Sequence, residues 1–291
     1  MKNIKKYQKL LVLVMTGMLA ASCSSTRFSA QKFDNSSYAN LSQQDKQLAD
    51  TLIKKVLDNE GIYTVISGLK PMSSVTELYL DIAAVDTLLR GNAKITDTAS
   101  EDLKKLKRYQ RIVNTLNFGD LRFMISPYRA HQKKQRTMQI SVHRKSLVDS
   151  LLLADQSFFG QFGFVPGTSP EILINTTEYE HKHNRFRAYG HLFGYPEHAV
   201  SFFTEASISE SRTGEFVKRD FLQLPVFSSQ TGRFVYAVPK GYKAAIVDHN
   251  IANRAKYALA SYQAERSRYA RKDGSVRYYE LLLSLLKING R

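Results

Sequence analysis

Four of the chain's seven histidines, His181, His183, His191 and His198, fall within eighteen residues and are accompanied by Glu178, Glu180 and Glu197. Imidazole and carboxylate are the ordinary ligands of zinc and related ions. Imidazole is also the side chain best matched to proton transfer near neutral pH. Glu178, His181, His183, His191, Glu197 and His198 therefore form the candidate metal or acid–base cluster, and a divalent metal there is the one cofactor the sequence raises. Spacing argues against it. On a helix reaching Gly194, Glu178 and His181 share one face, while His183 and His191 share another. No face collects three ligands, and the turn at Gly194-Tyr195-Pro196 must fold His198 back toward His191 to make even a pair. The spacing is not His-Glu-x-x-His. A plainer arrangement, with Lys182, Arg185 and Arg187 pairing with the glutamates and the histidines in water or on helix ends, outweighs the site.

A second candidate is an anion loop at Lys70, Ser73 and Ser74. Backbone N–H groups and the dipole of a following helix could hold an anion beside the Lys70 ammonium. Glu77, however, completes a capping box with Ser74 and would take the same donors, so a structural role is favoured. The third candidate is the basic series Arg254, Lys256, Arg266, Arg268, Arg271, Lys272 and Arg277, interleaved with Tyr262 and Tyr269. It could rest on an anionic leaflet, but a solvated helix face explains it as well. The chain has no Gly-x-Ser-x-Gly elbow, P-loop or dinucleotide fingerprint, and no catalytic residue is assigned.

The elements that must position these residues follow from caps and periodicity. Ser42 can cap a helix through Leu48, Leu52 and Val56. Residues 62–66 make a strand or a buried turn. Ser74 and Glu77 open an expected second helix bearing Leu78, Ile82, Val85 and Leu89. Thr98 and Glu101 repeat that signature before Leu103, Leu106 and Val113. The period then changes, giving strands at 121–125 and 137–143 joined by a basic turn, and helix returns over 146–159. Pro170 starts a helix, helices follow over 178–193 and 196–207, and 216–227 with 233–238 form an edge hairpin. Two apolar helical segments close the chain, the first with Asp248 as its expected cap. The pattern predicts a helix-dominated α+β domain with a small, mostly antiparallel sheet, and lacks the alternation of a doubly wound fold.

Composition sets wider limits. Hydrophobic residues make up 43% of the 291 residues, with 16 Phe and 16 Tyr, enough for a sizeable core. The formal charge is +16, and the four lysines of residues 1–22 leave +12 on the remainder. Such a charge favours anionic partners. With an export signal present and no nucleic-acid motif, anionic lipid or an envelope polymer is expected in preference to nucleic acid.

That signal is read from the first residues. Lys2, Lys5, Lys6 and Lys9 precede an apolar run from Leu10 to Ala21, about 18 Å as helix and too short to span a bilayer. A cleavable signal peptide over 1–22 is expected. Ala20-Ala21-Ser22 leads into Cys23, the chain's one cysteine. This segment resembles the lipobox of bacterial lipoproteins, departing from the commonest pattern in having Ala20 where a larger aliphatic is usual. The resemblance implies a lipid anchor on Cys23, membrane attachment through it, and a place in the cell envelope. With no acidic residue directly after Cys23, it further implies the outer membrane, facing the periplasm. Residues 23–40 read as a polar tether and 41–291 as a single domain. Lipid on Cys23 leaves no thiol for catalysis and none for a disulfide. Two functions stay open, a non-enzymatic binding or structural module and a metal-dependent or histidine-based hydrolase built on residues 178–198.

Overall fold

The computed structural model describes residues 36–81, 97–132 and 135–289. The signal segment, Cys23, most of the expected tether and residues 82–91 of the expected second helix lie outside them. All described residues belong to one compact unit running from Lys32 to Asn289. They bear out a helix-dominated α+β fold with a four-stranded and a two-stranded antiparallel sheet. No helix among them is long and apolar enough to cross a membrane.

A single turn, α1 (Ser36–Ala39), precedes α2 (Gln43–Leu57). Ser42 caps α2 as expected, its hydroxyl accepting the Asp45 N–H at 3.2 Å. Ala49, Leu52, Ile53 and Val56 bury the inner face. The apolar run that follows is a π-helical turn, Tyr63–Ser67, closed by left-handed Gly68. Arg144 staples this turn to the sheet, donating to the Thr64 and Val65 carbonyls at 2.8 and 2.6 Å.

The second helix expected from Ser74 is not formed. Met72–Leu80 is a strand, β1, paired antiparallel with β4 (Gln135–Arg144). Leu78 and Leu80 point into the core at strand spacing while Glu77 and Tyr79 are exposed. Ladder hydrogen bonds and a two-residue apolar period outweigh a four-residue capping signature. The next helix, α3 (Glu101–Thr115), forms as expected, but its cap is Ser100.

Strands β2 (Asn117–Phe118), β3 (Leu121–Gln132) and β4 (Gln135–Arg144) complete a sheet of order β1-β4-β3-β2. One face buries Leu80, Phe123, Ile140 and Val142 in a core shared with α2 and the C-terminal helices. The other carries Met72 and Met124 into a second core, made with α4 (Lys145–Ala154), α5 (Gln156–Phe159), α6 (Pro170–Tyr179) and α7 (Lys182–Leu192). That second face is mixed in character, because Thr137, Gln139, Ser141 and His143 alternate along β4 and are all buried. The expected helix over 146–159 is broken at Asp155, and Pro170 stands at the first position of α6 as expected.

Beyond α8 (Glu197–Thr213), β5 (Arg219–Val226) and β6 (Ser229–Pro239) form the expected hairpin with a shorter turn, Phe227-Ser228. Helices α9 (Ile246–Arg268) and α10 (Tyr278–Asn289) close the fold. Asp248 lies inside α9, where it accepts the Ala245 N–H at 2.8 Å.

Candidate functional site

The two helices expected over 178–193 and 196–207 form as α7 and α8, but α7 starts only at Lys182 and Glu178 belongs to α6. Glu180, with ψ 165°, ends α6, and His181, with ψ 144°, begins α7. Two extended residues at this junction divide the six candidates: Glu178 and His181 line one cleft with His183 beside His181, His191 meets Glu197, and His198 stands apart.

Glu178, in the last turn of α6, is 4% exposed. One carboxylate oxygen accepts the Arg129 N–H at 2.9 Å, and the other accepts the Tyr189 hydroxyl at 2.8 Å. The first bond depends on an irregularity in β3. Pro127 pairs with Met138 and His131 with Arg136, so three residues of β3 face one of β4. Such a bulge frees backbone groups and re-aims side chains, and here it turns the Arg129 N–H to Glu178. Tyr128, Glu178, Tyr189 and Phe186 line an open cleft of about 960 Å³, together with Arg129, Lys182 and Arg185 and, at its rim, Tyr179, Glu180 and His181. Arg129 donates to the Glu180 carbonyl at 3.2 Å and Arg185 to the Glu178 carbonyl at 3.3 Å. Each guanidinium thus spends one N–H and keeps others for a ligand or water. The cap residue His181 makes no side-chain bond into α7, but the Glu180 carboxylate accepts the His181 N–H at 3.2 Å, so this helix start already faces a carboxylate. Burial and the Glu178 charge push the Tyr128 and Tyr189 hydroxyls above their ordinary pKa, keeping both as donors.

His181 and His183 lie at the start of α7, their rings 5.7 Å apart. His191, the penultimate residue of α7, is 6% exposed and sits between two carboxylates. Its Nδ1 is 3.1 Å from Asp155 and its Nε2 is 3.5 Å from Glu197. Burial pushes its pKa down while both carboxylates pull it up, and burial prevails. Glu197 also accepts from Arg187 at 2.6 Å and Ser201 at 2.5 Å. His198 does not fold back to His191. It stacks on Tyr242 and brings Nε2 within 3.3 Å of Asp248, which accepts the Tyr236 and Tyr242 hydroxyls. Among the described residues no three His, Cys, Asp or Glu side chains are arranged to hold a metal ion.

No protein family, curated protein or solved structure matches this chain. Its site is therefore read from its own geometry.

The anion loop takes a different form from that expected. Ser73 and Ser74 lie in β1, so no helix N-terminus follows them. The Lys70 side chain is 1% exposed, with its ammonium 2.6 Å from Glu60. It is also 4.6 Å from the Phe234 ring centre and 5.2 Å from that of Phe193. Burial lowers its pKa and Glu60 opposes that shift. An ammonium enclosed in this way ties the hairpin to the α7–α8 turn and is withheld from solutes.

Sequence reasoning singled out Glu178 by type and missed Tyr128, Arg129 and Tyr189 as its partners. Pro127 was the available signal, since proline inside a strand pattern marks an edge or a bulge.

Proposed function

We propose that this chain is a lipid-anchored protein of the bacterial cell envelope, held through Cys23, whose domain is a binding module for an anionic, hydroxyl-bearing ligand. The anchoring rests on the lipobox-like start. Binding rests on one observation, the gathering of three cations, Arg129, Lys182 and Arg185, against two carboxylates, the buried Glu178 and Glu180, in one cleft beside a strand bulge. Guanidinium and ammonium groups suit a carboxylate or phosphate. Tyr128, Tyr189 and Phe186 offer flat apolar faces, and Glu178 has acceptor capacity for a hydroxyl. Acidic envelope polymers combine these features.

Calorimetric titration with a uronic-acid oligosaccharide, alongside its neutral counterpart, tests the reading. The acidic ligand should bind and the neutral one should not. Arg185→Gln and the more exposed Lys182→Gln should each weaken binding about tenfold, the worth of one charge-assisted hydrogen bond. Equal binding of both sugars, or affinity indifferent to both substitutions, would refute it.

A hydrolase reading draws on His191, with a carboxylate at each ring nitrogen. That ring is buried with a carboxylate facing each nitrogen, which suits a clamp joining α5, α7 and α8 better than proton transfer to a substrate.

A further inference from the structure

Aromatic and charged contacts fix where the chain joins its domain. Tyr38 of α1 stacks on Tyr279 at the start of α10, with ring centroids 3.5 Å apart. Its hydroxyl donates to Asp50 at 3.4 Å, and the Tyr279 N–H donates to the same oxygen at 3.2 Å. Lys46 secures the turn, with its ammonium 2.8 Å from the Ala39 carbonyl oxygen and 6.0 Å from the Tyr38 ring centre. The first half of α2 and the start of α10 thus surround the point of junction.

Cations gather at this end. Asp45 is buried and carries two guanidiniums, Arg108 at 2.7 Å and Arg111 at 2.5 Å, and the Arg111 side chain is 63% exposed. One inward carboxylate under two arginines leaves surplus positive charge at the surface. Arg271 is near enough to Asp50 to pull its carboxyl pKa down, against the burial and the Glu280 charge that raise it. Lys272, next in the chain, is exposed. Two exposed carboxylates share this end, Glu280 and Asp273, whose charge is held by the Ser275 N–H and hydroxyl at 2.9 and 2.7 Å. With Asp45 and Asp50 they stand against Lys46, Arg108, Arg111, Arg271 and Lys272, which leaves the balance positive.

Resting on the anchoring proposed above, we infer that this end of the domain docks on an anionic phospholipid leaflet, with Arg108, Arg111, Arg271 and Lys272 toward the headgroups. Twelve residues separate Cys23 from Ser36, and a chain of that length reaches at most roughly 45 Å by any path. The chain enters the domain at this junction, which can therefore reach the lipid, and the charge there complements an anionic surface within a Debye length. Three other members of the stretch are engaged away from the junction. The Tyr262 hydroxyl is 2.5 Å from Asp58, Arg266 lies 4.4 Å over Phe227, and Arg254 donates to the Ser67 carbonyl at 2.6 Å.

The test uses the lipidated full-length protein in phosphatidylcholine vesicles with and without phosphatidylglycerol. Lipid on Cys23 leaves an introduced cysteine as the single thiol for a fluorophore. One label goes at Ala270→Cys, beside Arg271. The other goes at Gln230→Cys, in the hairpin whose turn meets the far end of α2, where the Ser228 N–H donates to the Asp58 carbonyl at 2.9 Å. Spin-labelled headgroups should quench the first label several-fold more than the second, and only when phosphatidylglycerol is present. Reversing the two exposed charges, Arg271→Glu with Lys272→Glu, should return that label to its phosphatidylcholine level. Equal quenching at both positions, or quenching indifferent to anionic lipid or to charge reversal, would overturn the docking. The mass of the N-terminal peptide reads anchoring separately. Unmodified Cys23 overturns the anchoring itself, while lipidated protein with equal quenching overturns the docking alone.

Discussion

His143 lies on the mixed face of β4, 1% exposed, and its Nδ1 has no hydrogen-bond partner among the described residues. Burial lowers its pKa to about 4, helped by Arg122 and opposed by Glu171 and Asp120. In the unfolded chain the ring titrates near its ordinary value, about 6.5. Between those two values the unfolded state binds a proton that the folded state refuses, so stability rises with pH across the window and is lost as pH falls through it. The full contribution is about 3 kcal/mol. Urea unfolding of His143→Phe should therefore lose that much of its pH dependence between these limits. Identical slopes in the variant and the parent would mean that the ring is already protonated when folded. Buried charges here find partners, Asp45, Lys70 and Glu265 in opposite charges and three carboxylates in tyrosine. Asp58 accepts from Tyr262 and Tyr278, Asp248 from Tyr236 and Tyr242, and Glu178 from Tyr189. A phenol supplies one donor and a large apolar body, so it can seal a carboxylate from water without a counter-ion.

Gly194, between α7 and α8, has φ +75°, and a Cβ there would lie 2.0 Å from the Leu69 carbonyl oxygen. Gly214, ending α8, has φ +76° with nothing within 4 Å of its would-be Cβ. Alanine at Gly214 meets the left-handed penalty alone, about 1 kcal/mol. At Gly194 the backbone must also move and the Lys70 enclosure with it, so Gly194→Ala should cost several-fold more in thermal or urea unfolding; equal costs would show that the α7–α8 turn gives way easily. This comparison also shows what was legible in the sequence. Ser42, Pro170 and Gly194 announce their roles locally, since a cap, a first-turn proline and a turn glycine act within a few residues. The Ser74 and Glu77 signature fails because pairing with β4, more than fifty residues away, overrides it. For the same reason the cluster of histidines misleads. Asp155 reaches His191, and Asp248 reaches His198, through packing that no local spacing encodes. The cleft around Glu178 needs a bulge on another strand, and Pro127 was its one local trace.

At the scale of the whole molecule, the proposed anchoring divides labour between one residue and a surface. No described helix can cross a bilayer, so on this reading attachment is concentrated in the lipid on Cys23. Charge at the junction, worth about 1 kcal/mol per basic residue near an anionic surface, serves to orient. It is screened over a Debye length of about 8 Å at physiological salt and far less at high salt. A single acyl chain binds only marginally, and four partly paired cations should do no better. Cys23→Ser should therefore move the protein from the membrane fraction to the soluble one. Whatever stays on anionic vesicles at low ionic strength should come off in molar salt. The melting temperature should match that of the parent, because the packed chain from Ser36 onward makes its contacts within the domain. A Cys23→Ser protein that stayed on membranes in molar salt would place attachment in the folded domain and sink the division argued here.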